Sequence, residues 1–406
     1  MRLPLWSIAM VSCLTGCGGS PPSDGVEPLA YVASFDLLNG PFESTAPVSL
    51  SDDGTLVTWW WNTPNSYNPV PSEFGATSWD LVSGELLGGA PGGPLVGAIY
   101  GPPVTTAITD DGWIAYAADR KLCLLQPSAH PWWCVPIGST PSTGVALGRD
   151  GTIFVGDAGS VFYAFTGNGD PLWATALPGA GYGHPLIDRD DTIWFATKHV
   201  DGTWSLVSLV DGAVDVDVPI GTPVASLALD EDDHVLVSEF TGTGDIAAAP
   251  PEAFTLSAYE SDGTLAWSVV TDGAAASPIV GPDGTIYASI NAGEVGHLDA
   301  LRPSDGHVRW RTDLPETLWP PTLLDNGQVV AGCGLDLCGY DASSGHEDFR
   351  YLTFGSVVGS PLARDGIIVA STAGGTTSWD AGAHVSTESR GWARLGADDR
   401  LTGRAR

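Results

Sequence analysis

Along most of this chain short apolar runs alternate with polar turns, and the 3.6-residue period of an amphipathic helix is nearly absent. One stretch shows the unit. Pro278-Ile279-Val280 runs into the turn Asp283-Gly284, followed by Thr285-Ile286-Tyr287-Ala288-Ser289, then His297-Leu298-Asp299-Ala300, then Gly306-His307-Val308-Arg309-Trp310. Asp-Gly between β-formers favours a hairpin, because glycine accepts the positive φ that such turns need. The unit therefore predicts four short strands joined by tight turns.

The acidic turn recurs at Asp52-Asp53-Gly54, Asp110-Asp111-Gly112, Asp150-Gly151, Asp190-Asp191, Asp232-Asp233, Asp283-Gly284, Asp325-Asn326-Gly327 and Asp365-Gly366. Taking positions 54, 112, 151, 191, 233, 284, 327 and 366 as markers, the spacing is roughly 40 residues, which holds four strands of five or six residues with their turns. This is the size of one propeller blade. The expected fold is all-β, a single β-propeller of eight four-stranded blades, with seven as the alternative. Closure is expected to use strands from both ends, the region Leu29 to Leu38 and the region after Thr377, because an open ring exposes strand edges.

The steps from 54 to 112 and from 233 to 284 are long, and both excesses fall between a second and a third strand. In an antiparallel meander, second-to-third loops and blade-to-blade links share one face, while the Asp-Gly turns occupy the other. Both insertions thus decorate one face. The first, Trp59-Trp60-Trp61-Asn62-Thr63-Pro64-Asn65-Ser66-Tyr67-Asn68-Pro69, carries aromatic and amide groups suited to protein or sugar contacts. Trp59, Trp61 and Tyr67 are the expected binding face; the competing reading has the tryptophans filling space between blades.

The N-terminus changes the picture. Met1-Arg2 precedes an apolar stretch from Leu3 to Leu14, too short to span a bilayer and suited to a secretory signal. It ends in Leu14-Thr15-Gly16-Cys17, which matches the lipobox of bacterial lipoproteins. Residues 1–16 are read as a signal peptide, 17–28 as lipid anchor and flexible tether with Cys17 acylated, and 29–406 as the propeller. Gly18 after the cysteine resembles the sorting pattern for the outer membrane, on its periplasmic or surface side. Four cysteines remain, and in an oxidising compartment their spacing predicts two local disulfides, Cys123 with Cys134 and Cys333 with Cys338.

Charge excludes one class of partner. With 16 basic against 48 acidic residues, a net of −32, the surface repels phosphate backbones, so nucleic acid is not an expected partner. The acidic clusters Asp188-Asp190-Asp191 and Asp230-Glu231-Asp232-Asp233 read as solvated turns more readily than as Ca²⁺ sites. Catalytic signatures are missing: there is no Gly-x-Ser-x-Gly, no phosphate-cradling lysine loop, and His346-Glu347-Asp348-Phe349-Arg350 lacks the second histidine of a zinc-protease helix.

The second half of the unit resembles the tryptophan-docking repeat of pyrroloquinoline-quinone (PQQ) type propellers. Tyr163-Ala164-Phe165 with Gly167 and Trp173, Ser257-Ala258-Tyr259 with Gly263 and Trp267, and Leu298-Asp299-Ala300 with Gly306 and Trp310 carry the likeness, whereas Gly212 has no clear aromatic after it. WD and kelch repeats fit less well: Trp79-Asp80 and Trp379-Asp380 lack the Gly-His partner of the former. Quinoprotein dehydrogenases of this repeat family carry an adjacent cysteine pair near the cofactor, which this sequence lacks. The expectation is therefore no cofactor, no metal and no catalytic residue. The anchor and the repeat together resemble the scaffold lipoproteins of the outer-membrane β-barrel assembly machinery, which implies a monomeric interaction scaffold at the cell envelope with an envelope protein or complex as partner. A cofactor-dependent dehydrogenase or a carbohydrate-active propeller is the alternative class.

Overall fold

A computed structural model describes residues 31–35, 42–44, 49–51, 53–62, 73–81, 86–94, 106–125, 131–242, 253–292, 295–315, 319–353, 356–357, 359–372, 375–382, 384–389, 394 and 403–404. Among the described residues every named element is a β-strand, and these strands form eight antiparallel sheets. In chain order the blades are 1 (42–94), 2 (107–136), 3 (146–176), 4 (180–220), 5 (222–270), 6 (274–315), 7 (322–352) and 8 (362–380). In each blade the first strand pairs with the second, the second with the third and the third with the fourth. The first strand is split in blades 1, 5 and 6; in blade 6, for example, both Ala274–Ala275 and Ile279–Val280 pair with Ile286–Asn291.

The ring closes as expected. Tyr31–Phe35 adds to blade 8 as its outermost strand, antiparallel to Gly375–Asp380, with Tyr31 opposite Trp379 and Phe35 opposite Thr376. The N-terminal strand thereby completes the last sheet, and its edge group pairing removes an open seam.

Burial follows the radial order of the strands. Ile279–Val280 is fully buried, the third strand Val295–Leu301 is buried at all but its first residue, and from Arg309 the outermost strand Val308–Pro315 alternates exposed positions with half-buried Trp310 and Thr312 and buried Leu314. Middle strands bury both faces because each blade is sandwiched between two others, so they read as continuous apolar runs; only the outer strand shows the period of two.

All eight turn markers adopt positive φ: Gly54, Gly112, Gly151, Gly284, Gly327 and Gly366, with Asp191 (63°) and Asp233 (62°) standing in for glycine in blades 4 and 5. Aspartate tolerates this conformation better than most residues because its short side chain bonds to the local backbone. The marker N–H closes the turn, as Gly151 N to Gly148 O (3.1 Å) and Asp233 N to Asp230 O (3.2 Å).

Blades are joined by a repeated seam. A tryptophan on the outer strand of one blade lies against the glycine that ends the outer hairpin turn of the next: Trp133 on Gly169, Trp173 on Gly212, Trp267 on Gly306 and Trp310 on Gly345, where a Cβ would come within 2.9, 2.8, 2.5 and 2.5 Å of the ring. Each glycine has positive φ. Three of the indoles also donate across the seam, Trp133 to Gly167 O, Trp267 to Pro303 O and Trp310 to Ala342 O. Blade 4, where the sequence shows no aromatic, uses Val216 and Val218 against Gly263 instead.

Candidate functional site

The antiparallel order gives the ring two unlike faces. One, the turn face, carries the Asp-Gly turns and the outer hairpin turns; the other, the loop face, carries the second-to-third loops and the blade-to-blade links. Both lysines sit on the loop face, Lys198 at the end of its second strand and Lys121 at the start of its third. The acidic turns are all on the opposite side.

On the turn face, arginines strut adjacent blades. Arg149 pairs with Asp191 and donates to Arg189 O, Arg189 reaches Glu231 O and Asp233 (3.4 Å), and Arg364 closes the seam between blades 8 and 1 by donating to Ser51 O. Two grooves open here over docking tryptophans. One lies between blades 3 and 4 over Trp173 (310 Å³) and the other between blades 6 and 7 over Trp310 (400 Å³), with Asp283, Arg309, Asp325 and Glu388 around the second. They repeat because the seam repeats, so their shape follows from blade packing.

The acidic clusters are solvated turns at Asp190, Asp191, Glu231 and Asp232, but not at their first residues. Asp188 and Asp230 are buried. Asp188 accepts from the N–H groups of Asp190 and Thr192 and from the Trp194 indole; Asp230 accepts from Asp232 N and His234 N and faces His234 Nδ1 at 2.7 Å. These carboxylates build the turns, while their exposed neighbours Asp190, Asp191, Glu231 and Asp232 are solvated as expected. Among the described residues, no group of three or more His, Cys, Asp or Glu side chains is arranged to hold a metal ion.

Other buried carboxylates are similarly engaged. Asp157 accepts from Ser139 N, Gly159 N, Val161 N and the Tyr163 hydroxyl at 2.7–3.0 Å. Glu239 accepts from Gly221 N (2.6 Å) and the Tyr259 hydroxyl (3.1 Å). Burial first, and then the charge of Glu239, pushes the Tyr259 phenol far above its ordinary value, so it remains a donor. Asp299 receives two parallel bonds from Arg311 at 2.8 and 2.7 Å. Each of these groups ties a link or an outer strand to the blade interior.

The described residues of the C-terminal region, 384–389, 394, 403 and 404, dock on widely separated blades. Glu388 N donates to Leu323 O and Thr387 N to Ala363 O, on blades 7 and 8; the fully buried Arg394 donates to Ser360 O between those blades; Gly403 O accepts from Ile187 N of blade 4, and Arg404 donates to Gly148 O of blade 3. Blades 7 and 8 face blades 3 and 4 across an eight-membered ring. The described residues of this region thus contact opposite sides of the ring.

Of the residues singled out in the sequence, Cys17 and Tyr67 lie outside the described residues. Trp59 and Trp61 belong to the strand Thr55–Asn62, opposite Ala76 and Phe74 of Glu73–Asp80. The insertion therefore begins after Asn62 rather than at Trp59. Cys123 is bonded to Cys134 across paired strands of blade 2, and Cys333 to Cys338 at the second-to-third hairpin of blade 7. Glu347 to Arg350 lies in the strand Glu347–Leu352, which excludes a zinc-protease helix. The docking of Gly403 and Arg404 on blades 4 and 3 escaped the sequence, since no local pattern encodes contacts with blades more than 200 residues earlier.

Residues 294–389, from the third strand of blade 6 through blade 8, match the family described as "Outer membrane protein assembly factor BamB". No curated protein sequence matches the chain. Among solved structures, the quinohemoprotein alcohol dehydrogenase of Comamonas testosteroni is similar with a TM-score of 0.61 at 13% identity, over 93% of this chain and 77% of that one. BamB of Moraxella catarrhalis gives 0.57 at 13% identity, over 87% and 99%. The C-terminal WD40 domain of Sif2 gives 0.60 at 12%, over 89% and 99%. At such identities the likeness is one of fold. The chain is a β-propeller, similar in sequence over its last blades to the BamB family.

Proposed function

We propose that the chain is a non-enzymatic interaction scaffold of the cell envelope, acylated at Cys17 and held at the outer membrane, with an envelope protein or complex as its partner. The match of residues 294–389 to a family described as an outer membrane protein assembly factor carries this reading. A role in outer-membrane protein assembly is its sharper form. The engagement of Asp157, Glu239 and Asp299 by donors of their own fold supports a framework over a reaction centre.

The test is co-isolation from detergent-solubilised membranes. The intact chain is compared with one whose residues 63–72 are replaced by a short Gly-Ser turn, leaving Trp59 and Trp61 in their strand. The scaffold reading expects a partner at fixed stoichiometry that also retrieves this chain in the reverse experiment, and its loss with the insertion would map the contact to Tyr67 and its neighbours. Tight binding of PQQ with dye-linked alcohol oxidation would sink the reading in favour of a dehydrogenase.

A further inference from the structure

We propose that the groove between blades 6 and 7 binds a guanidinium group carried on an aliphatic stem. This groove and the one between blades 3 and 4 share a plan. Each contains a docking tryptophan with a second ring beside it: the centroids of Phe154 and Trp173 are 5.8 Å apart, those of Tyr287 and Trp310 6.0 Å. The acidic turns of two successive blades wall each groove, at Asp150 and Asp191 in one and at Asp283 and Asp325 in the other.

The two differ in the cation that crosses from blade to blade. Arg149, Arg189 and Arg364 stand two residues before the turn markers 151, 191 and 366, and each reaches the next blade. Between blades 3 and 4 the Arg149 guanidinium thus lies in the groove, paired with Asp191. Pro282 holds the same position before Gly284, and Gly327 stands where Asp191 does, so both partners of that pair are replaced. Arg309 does not substitute for it, because its Nη1 stays within blade 6, bonded to Thr285 Oγ1 at 2.5 Å and 3.6 Å from Asp283 Oδ2. The cavity is correspondingly larger, 400 Å³ against 310 Å³.

The opposite wall is acidic and shielded. Asp325 lines it, its Oδ1 accepting from Ser386 N at 3.0 Å, together with Glu388, whose N–H donates to Leu323 O. Glu388 is only 8% exposed, whereas Asp150, Asp191 and Asp211 of the other groove are all exposed. A carboxylate withdrawn from water attracts a cation more strongly, since less solvent screens the pair. The Trp310 Nε1–H is taken by Ala342 O, so the indole offers its ring and no donor. A guanidinium suits these surroundings: it is planar, stacks on aromatic rings and presents paired N–H donors to a carboxylate. Leu323 and Leu324 in the same groove suit an aliphatic stem.

The test is calorimetric titration of the purified full-length chain in detergent with n-butylguanidinium chloride. It needs neither an anchor nor an envelope partner, so it succeeds or fails independently of the scaffold reading. The expected result is a single saturable site that n-butylammonium, of the same charge and stem, fills several-fold more weakly. Pro282→Arg supplies the repeat's own guanidinium and should weaken binding roughly tenfold or more, with the unfolding midpoint kept or raised. Glu388→Gln, which keeps the shape of the side chain, should weaken it by a similar factor. No saturable site, equal affinity for the ammonium, or binding unchanged in both variants would each overturn the proposal. Acetyl-Gly-Arg-Gly amide distinguishes the source of the group. Tighter binding than n-butylguanidinium assigns the groove to an arginine side chain of a protein, weaker binding to a free guanidinium compound, and either upholds the site.

Discussion

The indole Nε1 of Trp267 donates to the carbonyl oxygen of Pro303 at 2.7 Å, across the seam between blades 5 and 6, and its ring fills the space that a side chain on Gly306 would need. Trp267→Phe should cost about 1 kcal/mol through the lost donor, and Gly306→Ala more, since the new Cβ meets the ring at 2.5 Å and the residue must hold a φ of 67°. Denaturant unfolding checks both. A double variant, Trp267→Ala with Gly306→Ala, should fall short of the sum of its parts, because the clash disappears with the ring.

The two disulfides stabilise by restricting the unfolded chain. Each of the pairs Cys123→Ser with Cys134→Ser and Cys333→Ser with Cys338→Ser is expected to lose about 2 to 3 kcal/mol. Non-reducing peptide mapping should recover the two local bridges and no cross-link between them.

Two histidines make stability depend on pH in opposite directions. Burial alone would lower the value of His234, yet its hydrogen bond to Asp230 and the charges of Asp230 and Glu260 outweigh this and raise it. Its contribution is fully present below about 6.5 and is lost as pH rises through the raised folded value. For His297 burial dominates and lowers the value despite Asp299, so its contribution is present above about 6.5 and is lost as pH falls through the lowered one. Unfolding midpoints across pH should lose the alkaline decline in His234→Gln and the acid decline in His297→Gln. An unchanged profile in either variant would contradict its assignment.

Gly403 fits beneath Pro185 O and His184, where a Cβ would approach to 2.4 and 2.7 Å, with a φ of 70°. Gly403→Val should therefore expel the end of the C-terminal segment. Hydrogen exchange is expected to rise at Ile187 N, which Gly403 O covers, while the seams of blades 5 and 6 keep their protection.

The parts of the fold that were legible in the sequence are those with local causes. The eight turns declare themselves because a positive φ at 54, 112, 151, 191, 233, 284, 327 and 366 restricts the residue to glycine or a short polar side chain. The docking tryptophans are legible for a similar reason, since one repeat serves every seam. Val216 and Val218 were not, because any side chain of adequate volume can press on Gly263. The roles of Asp188 and Asp230 were hidden too: composition makes them look like surface charge, and only the fold shows that their own turns and the neighbouring indole and imidazole bury them. The contacts of Arg394 and Arg404 with opposite sides of the ring depend on which blades end up opposite, a property of the whole ring.

The most direct measurement of the central claim is the size of the native assembly that contains this chain after gentle extraction of its own membranes. The account predicts that the chain elutes within a complex larger than itself and returns to the size of a single propeller when residues 63–72 are replaced by a short Gly-Ser turn. Elution as a free monomer from the unaltered membranes would contradict it.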